Sequence, residues 1–157
     1  MEKTEFLNFC HTKFIDCGFS KAANGYYKDA SSDILCALFL QKSSFGAFYY
    51  LNCGFYIKRQ GMPSRPKYTD LDICTRLTVL SKEQRVDGKQ FLTAAIYYEE
   101  YEKEELGVYF DEAFKTWILP PVYKGKKFLL ENLERYYGGL KSIHPLRTEF
   151  VRKALSE

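Results

Sequence analysis

Several signatures of catalysis and cofactor binding are missing from this sequence. It has two histidines, His11 and His144, and neither stands in a recognisable nucleophile arrangement with a cysteine or a serine. No group of residues has the clustered spacing of metal ligands, and neither common glycine-rich phosphate loop occurs. We therefore expect no catalytic residues, no metal and no cofactor. The sequence does not decide whether the chain is an enzyme, although the missing signatures favour a non-enzymatic protein.

Long apolar runs are also missing. No stretch approaches the roughly 20 apolar residues of a membrane span, and the segment MEKTEFLNF has acidic residues where a signal peptide needs a basic and then an apolar region. The formal net charge of +3 is mild and is not concentrated in a basic patch. We expect a cytoplasmic protein with no membrane partner, and a nucleic-acid partner is disfavoured.

The cysteines lack any pattern of disulfides or metal sites. There are five, an odd number, with no CxxC pair. Cys10 and Cys17, placed on one helix, lie about 10 Å apart along its axis, too far for a disulfide. Cys36 and Cys53 fall on apolar strand faces. We expect free thiols in a reducing compartment.

Aromatic residues are plentiful, with thirteen phenylalanines and thirteen tyrosines in 157 residues. A chain of this length buries about two thirds of its unfolded surface on folding. We expect a single α+β domain over residues 1–157.

The first quarter of the chain predicts a helix and a short strand. Apolar residues repeat at steps of three and four over residues 3–17, and Gly18 is placed to end that helix. The turn signal Asn24 and Gly25 precedes a short strand at residues 26–28.

The middle of the chain predicts two long strands, at residues 34–41 and about 48–57, joined by a turn at residues 42–47. Alternation places one set of second-strand side chains on a core face: Tyr49, Leu51, Cys53, Phe55 and Ile57. The first strand is apolar on both faces, so we expect something to cover each side of it.

Less regular segments follow. Prolines and a glycine predict an irregular loop at residues 58–70, and residues 71–80 alternate as one half-buried strand. The core face of that strand is predicted to carry Leu71, Ile73, Thr75, Leu77 and Val79. We expect a turn of helix within residues 81–90 and a strand at about residues 94–99.

The last third of the chain predicts three helices. The first begins at Glu102 and ends at Pro120 and Pro121; the second runs over about residues 126–137; the third begins near Pro145. The order of elements indicates an antiparallel sheet of about four or five strands. An N-terminal helix and the C-terminal helices pack mainly on one face of it.

The second face of the sheet is predicted to be polar. If the strands pair antiparallel, it carries Gln41, Tyr50, Asn52, Tyr56, Asp72 and Arg76. An arginine, a carboxylate, two amides and two tyrosine hydroxyls make a hydrogen-bonding surface, which indicates a binding site. The alternative is structural: Arg76 pairs with a cross-strand partner and the tyrosines simply cover the sheet.

Short motifs in these strands resemble a known family. They are Gly18-Phe19, Tyr26-Tyr27, the strand end Leu40-Gln41-Lys42-Ser43-Ser44, Leu51-Asn52-Cys53-Gly54-Phe55-Tyr56, Thr75-Arg76-Leu77 and the helix end Trp117-Ile118-Leu119-Pro120. Over about residues 6–133 the chain is similar to the bacterial domain-of-unknown-function 4304 family. The positions that the resemblance implies for a site are Gln41, Lys42, Ser43, Asn52, Gly54 and Arg76.

The resemblance implies no established activity. Some members are encoded near bacterial toxin systems, which implies an immunity-type or other protein-binding role. Our leading hypothesis is a non-enzymatic, cytoplasmic protein-binding module with an unidentified protein partner; the sequence does not indicate its oligomeric state.

Two other functions stay open. A small anionic ligand or an enzyme-like site could occupy the concave sheet face, with Arg76 on the anion and Asn52 and Tyr56 orienting it. A deep pocket lined by these residues would favour that reading, and a flat face would favour protein binding. Single-stranded nucleic acid that stacks on Tyr50 and Tyr56, with the loop at residues 58–67 on its phosphates, is the third hypothesis.

Overall fold

The centre of the fold is one antiparallel sheet. The computed structural model describes residues 1–29, 31–59, 61, 63–136 and 145–157, with side chains from 149 onward in the last segment. Within these residues five strands pair in sequence order: β1 (Ser20–Ala22), β2 (Gly25–Lys28), β3 (Ile34–Lys42), β4 (Tyr49–Ile57) and β5 (Ile73–Arg76). The predicted α+β class and antiparallel sheet are confirmed.

The long hairpin of β3 and β4 sets the register of the sheet. Its pairing runs from Ile34 opposite Ile57 to Lys42 opposite Tyr49. The predicted alternation is confirmed, because the side chains from Tyr49 to Ile57 that were assigned to the core face all belong to the main hydrophobic core. Such a long, apolar hairpin has its register specified by which face is buried.

Helix α1 (Lys3–Asp16) packs on this core, as its periodicity predicts, and buries Phe6, Phe9, Cys10 and Phe14. Gly18 follows with a φ of 81°, the left-handed conformation that glycine favours after a helix. The next hairpin differs from the prediction. Strand β1 was not expected, and its turn is Ala23 and Asn24, because Gly25 already pairs with Ala22 inside the ladder.

The C-terminal helices are α2 (Lys103–Ala113), a π-helical segment (Phe114–Ile118), α3 (Leu119–Glu131), α4 (Leu133–Tyr136) and α5 (Pro145–Ser156). The prediction that Pro120 and Pro121 end a helix is wrong. Both lie in the first turn of α3, and helical backbone dihedrals run without a break from the π-helical segment through Ile118 and Leu119 into that turn. The interruption falls at Gly125, whose φ of 73° breaks the regular helix. The predicted helix from Pro145 is confirmed.

Two predicted strands are wrong in detail. Residues 71–80 are split into β5 and a short strand β6 (Val79–Leu80), which pairs with β7 (Leu92–Thr93). The expected strand at residues 94–99 is a single bridge from Ile96 to Tyr49, followed by a 3₁₀ turn at Tyr98–Glu100. The sequence missed these breaks because two-residue strands leave almost no periodic signal.

The segments predicted as irregular also differ in detail. Residues 81–90 contain no helical turn and instead close on a bridge between Val86 and Lys89. A 3₁₀ turn, Tyr68–Asp70, lies at the end of the predicted loop. The predicted end of the second helix at Tyr137, and His144, lie outside the described residues.

The two faces of the sheet are covered differently. The helices bury one face. On the other, a smaller cluster forms from Tyr27, Leu35, Ala37, Tyr56 and Leu71, under the connection between β4 and β5. Leu71 was predicted on the face that the helices cover, and that prediction is wrong. The residue lies between the 3₁₀ turn and β5, so its side chain does not obey the alternation of the strand. The expectation that both faces of β3 are covered is confirmed for its first half.

None of the helices in the described part of the chain combines the length and the apolar character that crossing a membrane requires.

Candidate functional site

Four of the predicted site residues form one connected group, the polar ladder: Gln41, Tyr50, Asn52 and Arg76. Asn52 donates from Nδ2 to Oε1 of Gln41 over 2.9 Å. Arg76 donates from Nε to Oδ1 of Asn52, also over 2.9 Å. The Arg76 guanidinium carbon lies 4.2 Å from the centre of the Tyr50 ring, a cation–π contact.

Strand register places these side chains together. Asn52 lies opposite Arg76 across β4 and β5, while Gln41 lies opposite Tyr50 across β3 and β4. Alternation then directs all four to the same face of the sheet. Asn52 is only 2 % exposed, whereas Gln41 and Arg76 are exposed. The ladder therefore joins a buried amide to an exposed cation.

Aromatic rings support the ladder at one end. The Tyr50 ring meets Phe48 edge-on with centroids 5.4 Å apart, and Phe48 in turn contacts Tyr97 at 4.7 Å. These contacts hold the ring on which Arg76 lies. Tyr97 was not predicted to take part, since it fell in a segment that was assigned to a strand.

Asp72 and Tyr56 belong to a different group on the same face. Both Asp72 carboxylate oxygens accept hydrogen bonds from Arg59, at 2.9 and 3.0 Å, and one also accepts from the backbone N–H of Ile57 at 2.8 Å. The hydrogen bond with Asp72 raises the pKa of Arg59. This bidentate pair holds the start of the β4–β5 connection against the sheet.

The Tyr56 ring lies beneath Arg59, whose guanidinium carbon is 5.3 Å from the ring centre. Burial raises the pKa of the Tyr56 hydroxyl, which has no hydrogen-bond partner among the described residues. Tyr56 is 3 % exposed, so its ring is not accessible for stacking with a base. Arg59 was not predicted as a partner; its only sequence signal was its place in a basic loop.

The remaining predicted residues have separate roles. Ser43 is buried and accepts a hydrogen bond from the backbone of Phe45, which shapes the β3–β4 turn. Gly54 faces the smaller cluster, where an added Cβ would lie 2.4 Å from Leu71 Cδ1. Lys42 is exposed, and alternation places it on the face opposite Gln41. The structure thus brings none of these three into the polar ladder.

A cleft of about 490 Å³ lies elsewhere, on the helix side of the sheet at β5. The side chains that line it include Cys53, Thr75, Tyr109, Trp117, Arg135 and Tyr136. Arg76 is the one predicted site residue in its lining, while Asn52 and Tyr56 are not part of it. The ligand hypothesis expected a pocket lined by all three, so the cleft is a distinct site that the sequence reasoning missed.

The described residues include one histidine and five cysteines. His11 Nδ1 lies 3.1 Å from the Tyr26 hydroxyl. No group of three potential metal ligands occurs in the part of the chain that the structure describes. The cysteines are free, and burial raises the pKa of the Cys10 and Cys36 thiols well above the usual value, which makes them poor nucleophiles.

Fold and site together define an α+β protein with a five-stranded antiparallel sheet in its described residues. Strands β3, β4 and β5 carry the polar ladder on one face, and the outer strand β5 borders a cleft on the other. Residues 10–120 match the family described as "Domain of unknown function (DUF4304)", and the chain belongs to this family. The resemblance seen in the sequence is confirmed over a shorter span than expected. Comparison with curated proteins and with solved structures gave no match.

Proposed function

We propose that the chain is a non-enzymatic protein-binding module and that the exposed part of the polar ladder contacts the partner. The observation that carries this proposal is the geometry of Arg76, an exposed cation held by Asn52 on one side and by the Tyr50 ring on the other. Arginine and tyrosine dominate the energetics of protein interfaces. A preorganised pair loses little side-chain entropy on binding.

The shape of this face also supports protein binding. Asn52 and Tyr56 are nearly fully buried, so neither is open to a small molecule above the sheet. The Arg76 guanidinium uses Nε for Asn52 and no carboxylate among the described residues pairs with it, so its terminal N–H groups are available for an acidic partner. An exposed cation above buried polar side chains fits an acidic protein surface better than it fits a buried metabolite.

The finer form of the proposal is an immunity-type role in the cytoplasm of a bacterium. Its support is the family to which the chain belongs, some of whose members lie near toxin systems, together with the exposed ladder. In this role the partner is a toxin domain with an acidic patch that meets Arg76.

The test compares charge reversal at Arg76, within the polar ladder, with charge reversal at an arginine outside it. The tagged chain is expressed in its native host, its stoichiometric partner is recovered, and affinities are then measured with purified proteins by calorimetry. We expect Arg76→Glu to weaken binding by at least about 30-fold, the range of an interface hot spot. Arg85→Glu is the matched control, because Arg85 is exposed and, among the described residues, the one hydrogen bond of its side chain goes to the carbonyl oxygen of Lys82.

Equal affinity of the wild-type chain and Arg76→Glu would contradict the proposed site. Recovery of no partner, combined with turnover of a compound from a metabolite panel, would contradict the proposed class of function. Salt-dependent binding of an oligonucleotide at low salt, abolished by Arg76→Glu, would instead favour nucleic acid.

A further inference from the structure

We propose that the cleft beside β5 binds a small aromatic molecule with one carboxylate group. This site shares Arg76 with the polar ladder but is otherwise distinct from it, and it does not depend on the proposed protein-binding function. Its volume of about 490 Å³ lies within the range of small-molecule sites. Its lining is mainly apolar, with a few polar groups, as such sites usually are.

The walls of the cleft are aromatic. Trp117 is the single tryptophan of the chain and is 39 % exposed. Its ring meets Tyr136 edge-on with centroids 5.6 Å apart, and Tyr109 lines the same cleft. Flat rings around a cavity favour a planar occupant, because offset and edge-on ring contacts add to the burial of apolar area.

The backbone at Trp117 is unusual. Residues Phe114–Ile118 form a π-helical segment between α2 and α3. Such segments are rare and often mark functional sites, since they cost hydrogen-bond geometry. Here the segment contributes Trp117 and Ile118 to the cleft.

The charge in the cleft comes from Arg135. Its guanidinium carbon lies 4.5 Å from the Trp117 ring centre, and among the described residues no carboxylate pairs with it. Its donors are therefore free for a carboxylate, which guanidinium groups bind in a bidentate manner. Arg76 also lines the cleft, but its guanidinium donates from Nε to Asn52 and lies over the Tyr50 ring on the opposite face of the sheet, so we assign the carboxylate to Arg135.

Glu112 limits the number of anionic groups that a ligand of this cleft can carry. Its carboxylate lines the same cleft and accepts a hydrogen bond from the Thr116 hydroxyl. Arg135 and Glu112 together tolerate a monoanion, whereas a second anionic group on the ligand would meet repulsion from Glu112. This balance selects a single carboxylate on an apolar body.

Among the most buried residues of the cleft lining, one hydrogen-bond donor has no acceptor in the described part of the chain. Tyr136 and Cys53 are 7 % and 1 % exposed, and the Tyr136 hydroxyl has no hydrogen-bond partner among the described residues. Burial raises the pKa of Tyr136 to about 12, so the hydroxyl keeps its proton at neutral pH. An acceptor atom on the aromatic body would satisfy this donor.

The single tryptophan provides a site-specific signal. In a ¹H–¹⁵N correlation spectrum, Trp117 gives the one indole N–H resonance of the chain. We expect titration with 1-naphthoate to shift this resonance in a saturable manner in the millimolar range or below. The neutral analogue 1-naphthalenemethanol should shift the same resonance with about tenfold lower affinity, because it lacks the charge-assisted contact.

Two variants separate the effect of the Arg135 charge on binding from the effect of the shape of the cleft. Arg135→Gln should weaken 1-naphthoate about tenfold and leave the affinity for 1-naphthalenemethanol within about twofold. Arg85→Gln, an exposed arginine outside the cleft, should change neither affinity. Arg135 is exposed, so its replacement should preserve the fold, and the dispersion of the spectrum checks this.

Two outcomes would overturn the proposal. One is the absence of a saturable shift of the indole resonance with 1-naphthoate throughout the millimolar range. The other is equal weakening of both probes by Arg135→Gln, which would show that the arginine supports the wall and does not bind the anion. In the first case, shifts of the β5 amides by an extended peptide would assign the cleft to a peptide.

Discussion

Arg76 donates a 2.9 Å hydrogen bond to Asn52, and this bond joins an exposed cation to an amide that is 2 % exposed. The sequence left two readings of these residues, a binding surface or a structural network. The structure contains elements of both in one pair. Asn52 is buried and bridges Gln41 and Arg76, whereas Arg76 is open to solvent. Substitutions at the two positions should therefore have different effects on stability.

We predict that Asn52→Ala lowers the free energy of unfolding by about 1–3 kcal/mol, because it removes a buried amide and its hydrogen bonds to two strands. Arg76→Ala should lower it by no more than about 1 kcal/mol, since water replaces an exposed guanidinium. Urea denaturation of both variants measures the difference. Equal, large losses would show that Arg76 is mainly structural.

A second prediction concerns two glycines with different surroundings. A Cβ on Gly54 would lie 2.6 Å from the backbone oxygen of Ile73 and close to Leu71. We expect Gly54→Ala to cost about 1–3 kcal/mol through overpacking between β4 and β5. Thermal and urea unfolding measure the loss.

Gly107 is the matched control. It lies inside α2, and within the described part of the chain its added Cβ would meet only Phe9 Cε2, at 4.0 Å, an ordinary contact. Alanine is a better helix former than glycine, so Gly107→Ala should raise stability by about 0.5–1 kcal/mol. Similar effects of the two substitutions, in either direction, would contradict the close approach at Gly54.

The sequence predicted the parts of this fold that have long periodic patterns. The hairpin of β3 and β4 and helix α1 each repeat their pattern over at least nine residues, and both were predicted nearly to their ends. The short strands β1, β6 and β7 have two or three residues each and were missed or misplaced. Pairing over so few residues is decided by neighbours in space, which local patterns do not contain.

The same limit applies to the site. Alternation was enough to place Gln41, Asn52 and Arg76 on one face, because β3, β4 and β5 are successive antiparallel strands. The partner of Asp72 was not found, because Arg59 lies in an irregular connection. The cleft was not found because Trp117 and Arg135 come from different helices, and the path between them was not predictable from periodicity.

A third prediction tests the core face of β4. Phe55 is fully buried, and the centroid of its ring lies 5.8 Å from that of the Tyr136 ring. We expect Phe55→Ala to lower the free energy of unfolding by about 3–5 kcal/mol, because it removes a buried ring and leaves a cavity. For a domain of ordinary stability this is a large share of the total, so urea titration should begin from low concentrations.

Phe45 provides the comparison, since it is 93 % exposed in the β3–β4 turn. Phe45→Ala should change stability by less than about 0.5 kcal/mol. A loss at Phe45 as large as that at Phe55 would mean that the turn packs against another surface in solution.

The last prediction compares two buried tyrosines at high pH. Burial raises the pKa of both Tyr101 and Tyr136 to about 12. A tyrosine in the unfolded chain loses its proton at about pH 10. Between these values the unfolded state binds fewer protons than the folded state, so stability that is fully present below about pH 10 falls as the pH rises towards 12.

Phenylalanine substitutions separate this titration from hydrogen bonding. Tyr101 donates a 2.6 Å hydrogen bond to the backbone oxygen of Leu80, whereas the Tyr136 hydroxyl has no partner among the described residues. At pH 7 we expect Tyr101→Phe to cost about 0.5–1.5 kcal/mol and Tyr136→Phe to cost nothing or to stabilise. Both variants should lose less stability than the wild-type chain between about pH 10 and pH 12. Unfolding curves at pH 7 and across that range measure both effects, and an unchanged alkaline loss in both variants would show that these two hydroxyls do not titrate differently in the folded and unfolded states.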